Sequence, residues 1–363
     1  MIKAEISREK MNIVIVGHVD HGKSTIVGRL LADTQSLPEG KLEQVKSFCL
    51  KNSRPFEYAF LIDALKDEQA QGITIDSARV FFKTKKRDYI IIDAPGHIEF
   101  LKNMATGASH AEAALLVIDA NEGVQENSRR HGYMLSMLGI KQVAVLVNKM
   151  DLVSYKRRIF ESIVEEYLRF LSNINVTPVC CVPISGTTGD NIAVSSGMMP
   201  WYDGNIVLQL LDGFETEKPS IDKPFRMPVQ DVYKFTNFGD NRRIIAGTVV
   251  TGSIQAGNTI VFYPSGKKGK IKSIEAFNQS QPEAAAAGLA TGLTLSEQVY
   301  ITRGEIACKA DESKPKITTR LKVSLFWLGK RPMTKEKDYG LKIGTAKVSA
   351  RIEEISRVIN ASN

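Results

Sequence analysis

The stretch that decides the fold is Asn12-Ile13-Val14-Ile15-Val16-Gly17-His18-Val19-Asp20-His21-Gly22-Lys23-Ser24-Thr25. Asn12 and the four β-branched apolar residues after it, Ile13–Val16, read as a strand buried on both faces, which is how parallel strands are written. Directly after them stands G-x-x-x-x-G-K-[ST], and Ser24–Ala32 then has helical spacing. This order, strand, glycine-rich loop, helix, is the context in which the motif cradles phosphate. The glycines let backbone N–H groups of residues 17–23 turn toward a β-phosphate, and the helix adds its positive N-terminus. Lys23 can reach β- and γ-phosphate oxygens, and Ser24 can ligate Mg²⁺. A glycine-rich tight turn without a ligand is the plain alternative.

Working outward, the same texture recurs. Tyr89–Ile92, Ala114–Ile118, Val143–Val147 and Val179–Ile184 are short Val/Ile/Leu-rich runs, with helical candidates at Gln125–Leu138 and Arg157–Ser172. Alternation of this kind predicts an α/β P-loop domain, a mostly parallel sheet with helices on both faces. Past Leu211 the texture changes. Phe214–Phe225 reads as a linker, and from Phe225 onward Gly and polar residues punctuate short strands, as in a small antiparallel β-barrel. A second polar junction at Lys309–Lys316 precedes strands expected at Arg320–Trp327 and Gly340–Ile352. The predicted domains are 1–215 (P-loop domain), 222–310 (barrel) and 315–363 (a partial third barrel, truncated at Asn363). Phe326 and Trp327 are read as barrel core, Lys267–Lys272 as a hairpin tip and Cys180-Cys181 as strand packing. Ala284–Ala287 is too short to interpret.

Composition narrows the class. The chain has 363 residues, 43% hydrophobic and 24% charged, ordinary for globular domains and too long for one of them. Its longest apolar runs, such as Ala113–Ile118, fall far short of the roughly 20 residues a bilayer span needs. The N-terminus lacks an apolar signal core, and four scattered cysteines make neither a disulfide scaffold nor CxxC pairs, so a reducing cytoplasm is expected. The net charge of +8 is unevenly placed: residues 301–363 hold 14 Lys+Arg against 7 Asp+Glu. That excess fits either an anionic partner or a solvated lysine-rich face. The five histidines lack zinc-ligand spacing with the cysteines.

A phosphate loop does not select a base. Asn148-Lys149-Met150-Asp151 closes another buried strand, and the Asp151 carboxylate can accept from both N1–H and the 2-amino group of guanine, donors that adenine lacks there. Asn148 and the stem of Lys149 would brace the loop and cover the base. Ser185-Gly186-Thr187 ends the next strand, where a backbone N–H can meet the guanine carbonyl. Between these loops lies Asp93-Ala94-Pro95-Gly96-His97. Asp93 can hold a water of a Mg²⁺ shell, the N–H of Gly96 can sense a γ-phosphate, and His97 can orient the attacking water. Thr74, in Gly72–Ile75, can close over Mg²⁺ and γ-phosphate when GTP is bound. Asp63 reads equally as a magnesium-water partner or a helix-surface aspartate.

Taken together, GHVDHGKST, GITID, DAPGH and NKMD, followed by a β-barrel, resemble the translation-factor class of GTPases, the elongation factor Tu and 1A type. Within it, Leu61–Leu65, GITIDSA, Arg129–Gln142, Met199–Gly204 and Phe326–Gly344 resemble the large, GTPase subunits of bacterial heterodimeric ATP sulfurylase (sulfate adenylyltransferase). The resemblance implies GTP/GDP and Mg²⁺ as cofactors and a small adenylyltransferase subunit as partner. That partner would make adenosine 5′-phosphosulfate from ATP and sulfate while this chain hydrolyses GTP. Members of that family carry Ser and Asp where His18 and His21 stand, and often Ala at the position of Gly186. Two other readings follow from the same motifs: an elongation factor delivering aminoacyl-tRNA, and a GTP-dependent switch or scaffold with no enzymatic partner.

Overall fold

The computed structural model describes residues 9–62, 79–93, 111–216, 220–234, 242–276, 281–327, 329 and 331–358, the side chains of residues 79 and 93 excepted. The expected roles of Asp63, Thr74, Ala94, Pro95, Gly96 and His97 lie outside these residues. The chain divides into two compact units, Met1–Thr216 with Ile359–Asn363, and Glu217–Val358.

In the first unit, β1 (Lys10–Gly17), β2 (Arg79–Lys83), β3 (Asp88–Asp93), β4 (Ala113–Asp119), β5 (Gln142–Asn148) and β6 (Cys180–Pro183) form one sheet in the order β2-β3-β1-β4-β5-β6. All neighbours are parallel except β2, which pairs antiparallel with β3 at the edge. Every residue of β4 is buried, as are six of seven in β5, which accounts for their unbroken apolar runs. Among the described residues its helices are α1 (Lys23–Asp33), α2 (Lys41–Lys51), α3 (Glu126–Leu138), α4 (Arg157–Asn173) and α5 (Val207–Gly213). Strand order reverses at β1, flanked by β3 and β4, so right-handed crossovers carry helices to both faces and open a crevice at the strands' C-terminal ends. Cys180 and Cys181 are half-buried, and burial pushes their thiols up to about 11 and about 12.

Three elements of this unit have no counterpart in the pattern reading. Strand β2 (RVFFK) is short and flanked by polar residues, α2 buries only Lys41, Val45 and Cys49, and α5 is only seven residues long.

In the second unit β7 (Met227–Lys234), β8 (Arg243–Thr248), β10 (Thr259–Tyr263), β11 (Lys268–Glu275), β13 (Ala290–Leu295) and β14 (Ile306–Lys309) close a six-stranded barrel. Phe225, Met227, Ile245, Phe262, Ile274 and Leu293 are among the residues that fill it. The alanine run yields β12 (Ala284–Ala286), paired with β9 (Ser253–Gln255). The hairpin tip lies at residues 264–267, while Lys268, Lys270 and Lys272 stand on the outer face of β11.

Beyond the barrel only one ladder forms among the described residues, the hairpin of β15 (Asp338–Ile343) and β16 (Ala346–Arg351). The strand expected at Arg320–Trp327 has no ladder partner there, and Leu321, Val323 and Leu325 are exposed. Trp327 is not barrel core either: it is 45% exposed, its indole N–H donates to Arg331 O at 2.7 Å, and its ring meets Tyr339 edge-on. Phe326 is only half-buried.

Candidate nucleotide site

The sequence-singled loops lie at the crevice, and their mutual contacts can be followed atom by atom. Gly17 ends β1 beside β4; a Cβ there would sit 2.5 Å from the carbonyl oxygen of Val117. Gly22, at φ +86°, precedes α1, and a Cβ on it would lie 2.4 Å from Asn148 Nδ2. Both glycines are required by close approach, and Gly22 also by its backbone conformation. Between them the loop folds around the Lys23 ammonium, which donates to Gly17 O at 2.8 Å and His18 O at 2.7 Å. The loop is thereby closed into a cradle, with Ser24 and Thr25 in the first turn of α1.

Two histidines anchor the cradle from outside. The Nδ1–H of the fully buried His21 donates to Val117 O at 3.1 Å, and its Nε2 faces Glu122 Oε2 at 3.3 Å. Burial pushes His21 below its ordinary 6.5, against the opposing pull of the Val117 carbonyl and Glu122. His18 Nδ1 accepts from Asn127 Nδ2 at 2.8 Å. Nearby, His131 is held neutral, pushed down to about 3, first by burial and then by the Lys23 ammonium.

Asn148 ties three loops together. Its Nδ2 donates to His21 O at 2.8 Å, its Oδ1 accepts from Gly186 N at 2.9 Å, and its carbonyl accepts from Ala120 N at 2.8 Å. The residue is 2% exposed, so each of these bonds replaces a lost contact with water. Lys149 takes φ +62° and opens a 3-10 turn, Met150–Val153. Met150 is buried and its N–H donates to Ile184 O at 3.1 Å, fixing the loop against the end of β6. Gly186 in turn packs on α1: a Cβ there would lie 3.3 Å from Thr25 Cγ2 and 3.4 Å from Ile26 Cγ1. Alanine would fit at this position with a shift of a few tenths of an ångström.

The segment after it is braced as well. Asp190 accepts from the hydroxyls of Ser196 (2.6 Å), Tyr155 (3.0 Å) and Thr188. Partial burial pushes the Asp190 carboxyl up, but these hydroxyls and Arg29 hold it below the usual carboxylate range.

The loops at 17–25, 148–151 and 185–186 thus converge, and the end of β3 joins them through the register pair Ile15–Asp93. Within Ser185-Gly186-Thr187, the N–H of Gly186 is spent on Asn148 Oδ1. Among the buried polar atoms of the described residues without a hydrogen-bond partner, which include His21 Nε2 and His131 Nδ1, one belongs to the Asn148–Asp151 loop. Asp151 Oδ1 is buried with no hydrogen-bond donor among the described residues. An orphaned buried carboxylate oxygen beside a phosphate loop fits a ligand that brings its own N–H donors, as guanine does. Asp119, which pattern reading passed over, is the acid that Lys149 meets; its signal is a charge ending a wholly apolar strand.

Comparison with known proteins gives the family. The family model described as Elongation factor Tu GTP binding domain matches residues 8–232. A protein named Sulfate adenylyltransferase subunit 1 from Chromobacterium violaceum is 39% identical over 355 residues, 96% of this chain and 73% of that protein. Its namesake from Tolumonas auensis is 37% identical over 364 residues, covering 99% and 76%. Bifunctional enzyme NodQ from Rhizobium tropici is 35% identical over 355 residues, 97% of this chain and 55% of that longer protein. The chain therefore belongs to the sulfate adenylyltransferase subunit 1 family, with a GTP-binding domain of the elongation factor Tu type.

Proposed function

We propose that this chain binds and hydrolyses GTP and couples that hydrolysis to the adenylylation of sulfate by a small partner subunit. The observation that supports the guanine part most directly is the buried, unpaired Oδ1 of Asp151 beside a phosphate cradle closed by Lys23. In this reading Asp151 accepts the N1–H and 2-amino group, the Thr187 N–H serves the guanine carbonyl because Gly186 is engaged, and the stem of Lys149 covers the ring. The backbone of residues 18–23 and Lys23 take the phosphates.

We assign Ser24 and Thr74 as hydroxyl ligands of Mg²⁺, with the Asp93 and Asp63 carboxylates holding waters of its shell, hard oxygen donors of the type that ion prefers. Bound there, the ion would neutralise charge between the β- and γ-phosphates. His97 is assigned to orient the attacking water. GTPases of this design turn over unaided at roughly 10⁻⁴–10⁻² s⁻¹, so the coupling requires stimulation by the partner.

The test is co-purification of the chain with its native partner, then measurement of GTP turnover and adenosine 5′-phosphosulfate formation together. The expected result is that ATP and sulfate accelerate GTP hydrolysis and that GTP raises product yield. A chain whose GTPase responds instead to ribosomes and aminoacyl-tRNA contradicts the proposal.

A further inference from the structure

The end of β4 carries a charge that the phosphate and base assignments above leave unused. Asp119 is 1% exposed and sits in register with Asn148, each the last residue of its strand. Both of its oxygens are engaged: Oδ1 accepts from the Asn121 N–H at 2.7 Å, and Oδ2 lies 2.7 Å from Lys149 Nζ. Lys149 itself is in the left-handed region and keeps 28% of its side chain exposed. A long cation on a loop ordinarily samples many rotamers, and ordering it when a ligand arrives costs entropy. Here the buried carboxylate has already fixed the far end of the chain.

We infer that Asp119 is a positioning residue for the guanine site: it acts through Lys149, anchoring the ammonium so that the four-carbon stem stands ready as one wall of the base slot. This rests on the guanine reading of Asn148–Asp151. Asp119 touches no part of the nucleotide in this account. The contribution is common to GTP and GDP, since both present the same base to the same wall.

The double variant separates this role from a structural one. Asp119→Asn keeps the shape and an acceptor for Asn121 but removes the charge that holds Lys149. Stopped-flow release of fluorescent GDP is expected to quicken by about 10- to 100-fold, the scale of one charge-assisted contact. GTP and GDP affinities should fall by the same factor, and KM for GTP should rise while kcat stays within about twofold. Lys149→Met retains most of the stem but not the charge. Adding Asp119→Asn to it should change GDP release by no more than about threefold, because the two act as one unit.

GDP release at the wild-type rate in Asp119→Asn overturns the inference. So does a full, additive loss on top of Lys149→Met, or a fall in kcat as large as the rise in KM. Where Asp119→Asn does not fold, Asp119→Glu retains the charge on a longer arm; release faster by about threefold or more is expected, and the wild-type rate again overturns it. A wild-type chain that holds ATP as tightly as GTP refutes the guanine reading itself, a result distinct from all of these.

Discussion

Strands β4 and β5 and the hairpin β15–β16 carry backbone ladders of similar length, seven aligned pairs against six, yet they are opposite in character. The first pair is buried almost throughout, and its last residues, Asp119 and Asn148, project into a network that fixes three loops. The hairpin exposes Ile343 and Val348 and is laced by an Arg351–Asp338 ion pair that is itself exposed. Ladder hydrogen bonds exchange water for protein partners at small net gain, whereas burial and satisfied polar groups decide which residues hold a fixed place. The comparison teaches that the C-terminal sheet edge of the first unit is over-determined, while the described residues of 320–358 are all exposed or half-buried.

The sharpest way to break the contrast is Gly22→Ala. The new methyl would displace the Asn148 amide and occupy a left-handed backbone conformation, at an expected cost of about 2–4 kcal/mol in urea unfolding. Guanine-nucleotide affinity should drop by more than about 100-fold in the same variant, and an unaltered affinity would show that Asn148 is not the latch we describe.

A second test uses protons. His131 titrates at about 3 in the folded state and near 6.5 when unfolded, so the unfolded chain binds the extra proton first. Stability should therefore be intact above pH 6.5 and fall as pH drops toward 3, by about 1.4 kcal/mol per pH unit from this group. His131→Gln should flatten that slope in denaturation midpoints measured between pH 6.5 and 5; an identical slope would place the acid sensitivity elsewhere.

The smallest effect is expected in the other region. Leu325→Thr, at 48% exposure, should change stability by no more than about 0.5 kcal/mol. A loss several times larger in equilibrium unfolding would mean that this stretch is packed far more firmly than its exposure indicates.

Much of the site was legible because its chemistry is local. Gly17, Gly22 and Lys23 share one turn, and Asn148 and Asp151 one loop, so spacing alone exposes them. What escaped reading is what strand register creates. Nothing near Asp119 in the chain announces Lys149, thirty positions on; only the alignment of β4 with β5 joins them. Likewise the His18–Asn127 and His21–Glu122 contacts join residues about a hundred apart. In the fold, doubly buried strands announced themselves by composition, while β2 and β13 did not. Strand β2 is a polar-flanked edge, and β13 (ATGLTL) mixes Gly and Thr with few large side chains. Arg320–Trp327 shows the converse: its alternation is strand-like, but alternation cannot supply a partner.

The most direct measurement on the central claim is the base preference of Asp151→Asn. Xanthine carries a carbonyl where guanine carries the 2-amino group, so an asparagine amide can donate to it while still accepting from N1–H. Our account predicts that GTP affinity falls by about 100-fold or more and that XTP becomes the tighter ligand. A variant that keeps the wild-type preference for GTP over both XTP and ATP would contradict the grip on guanine from which the functional reading is built.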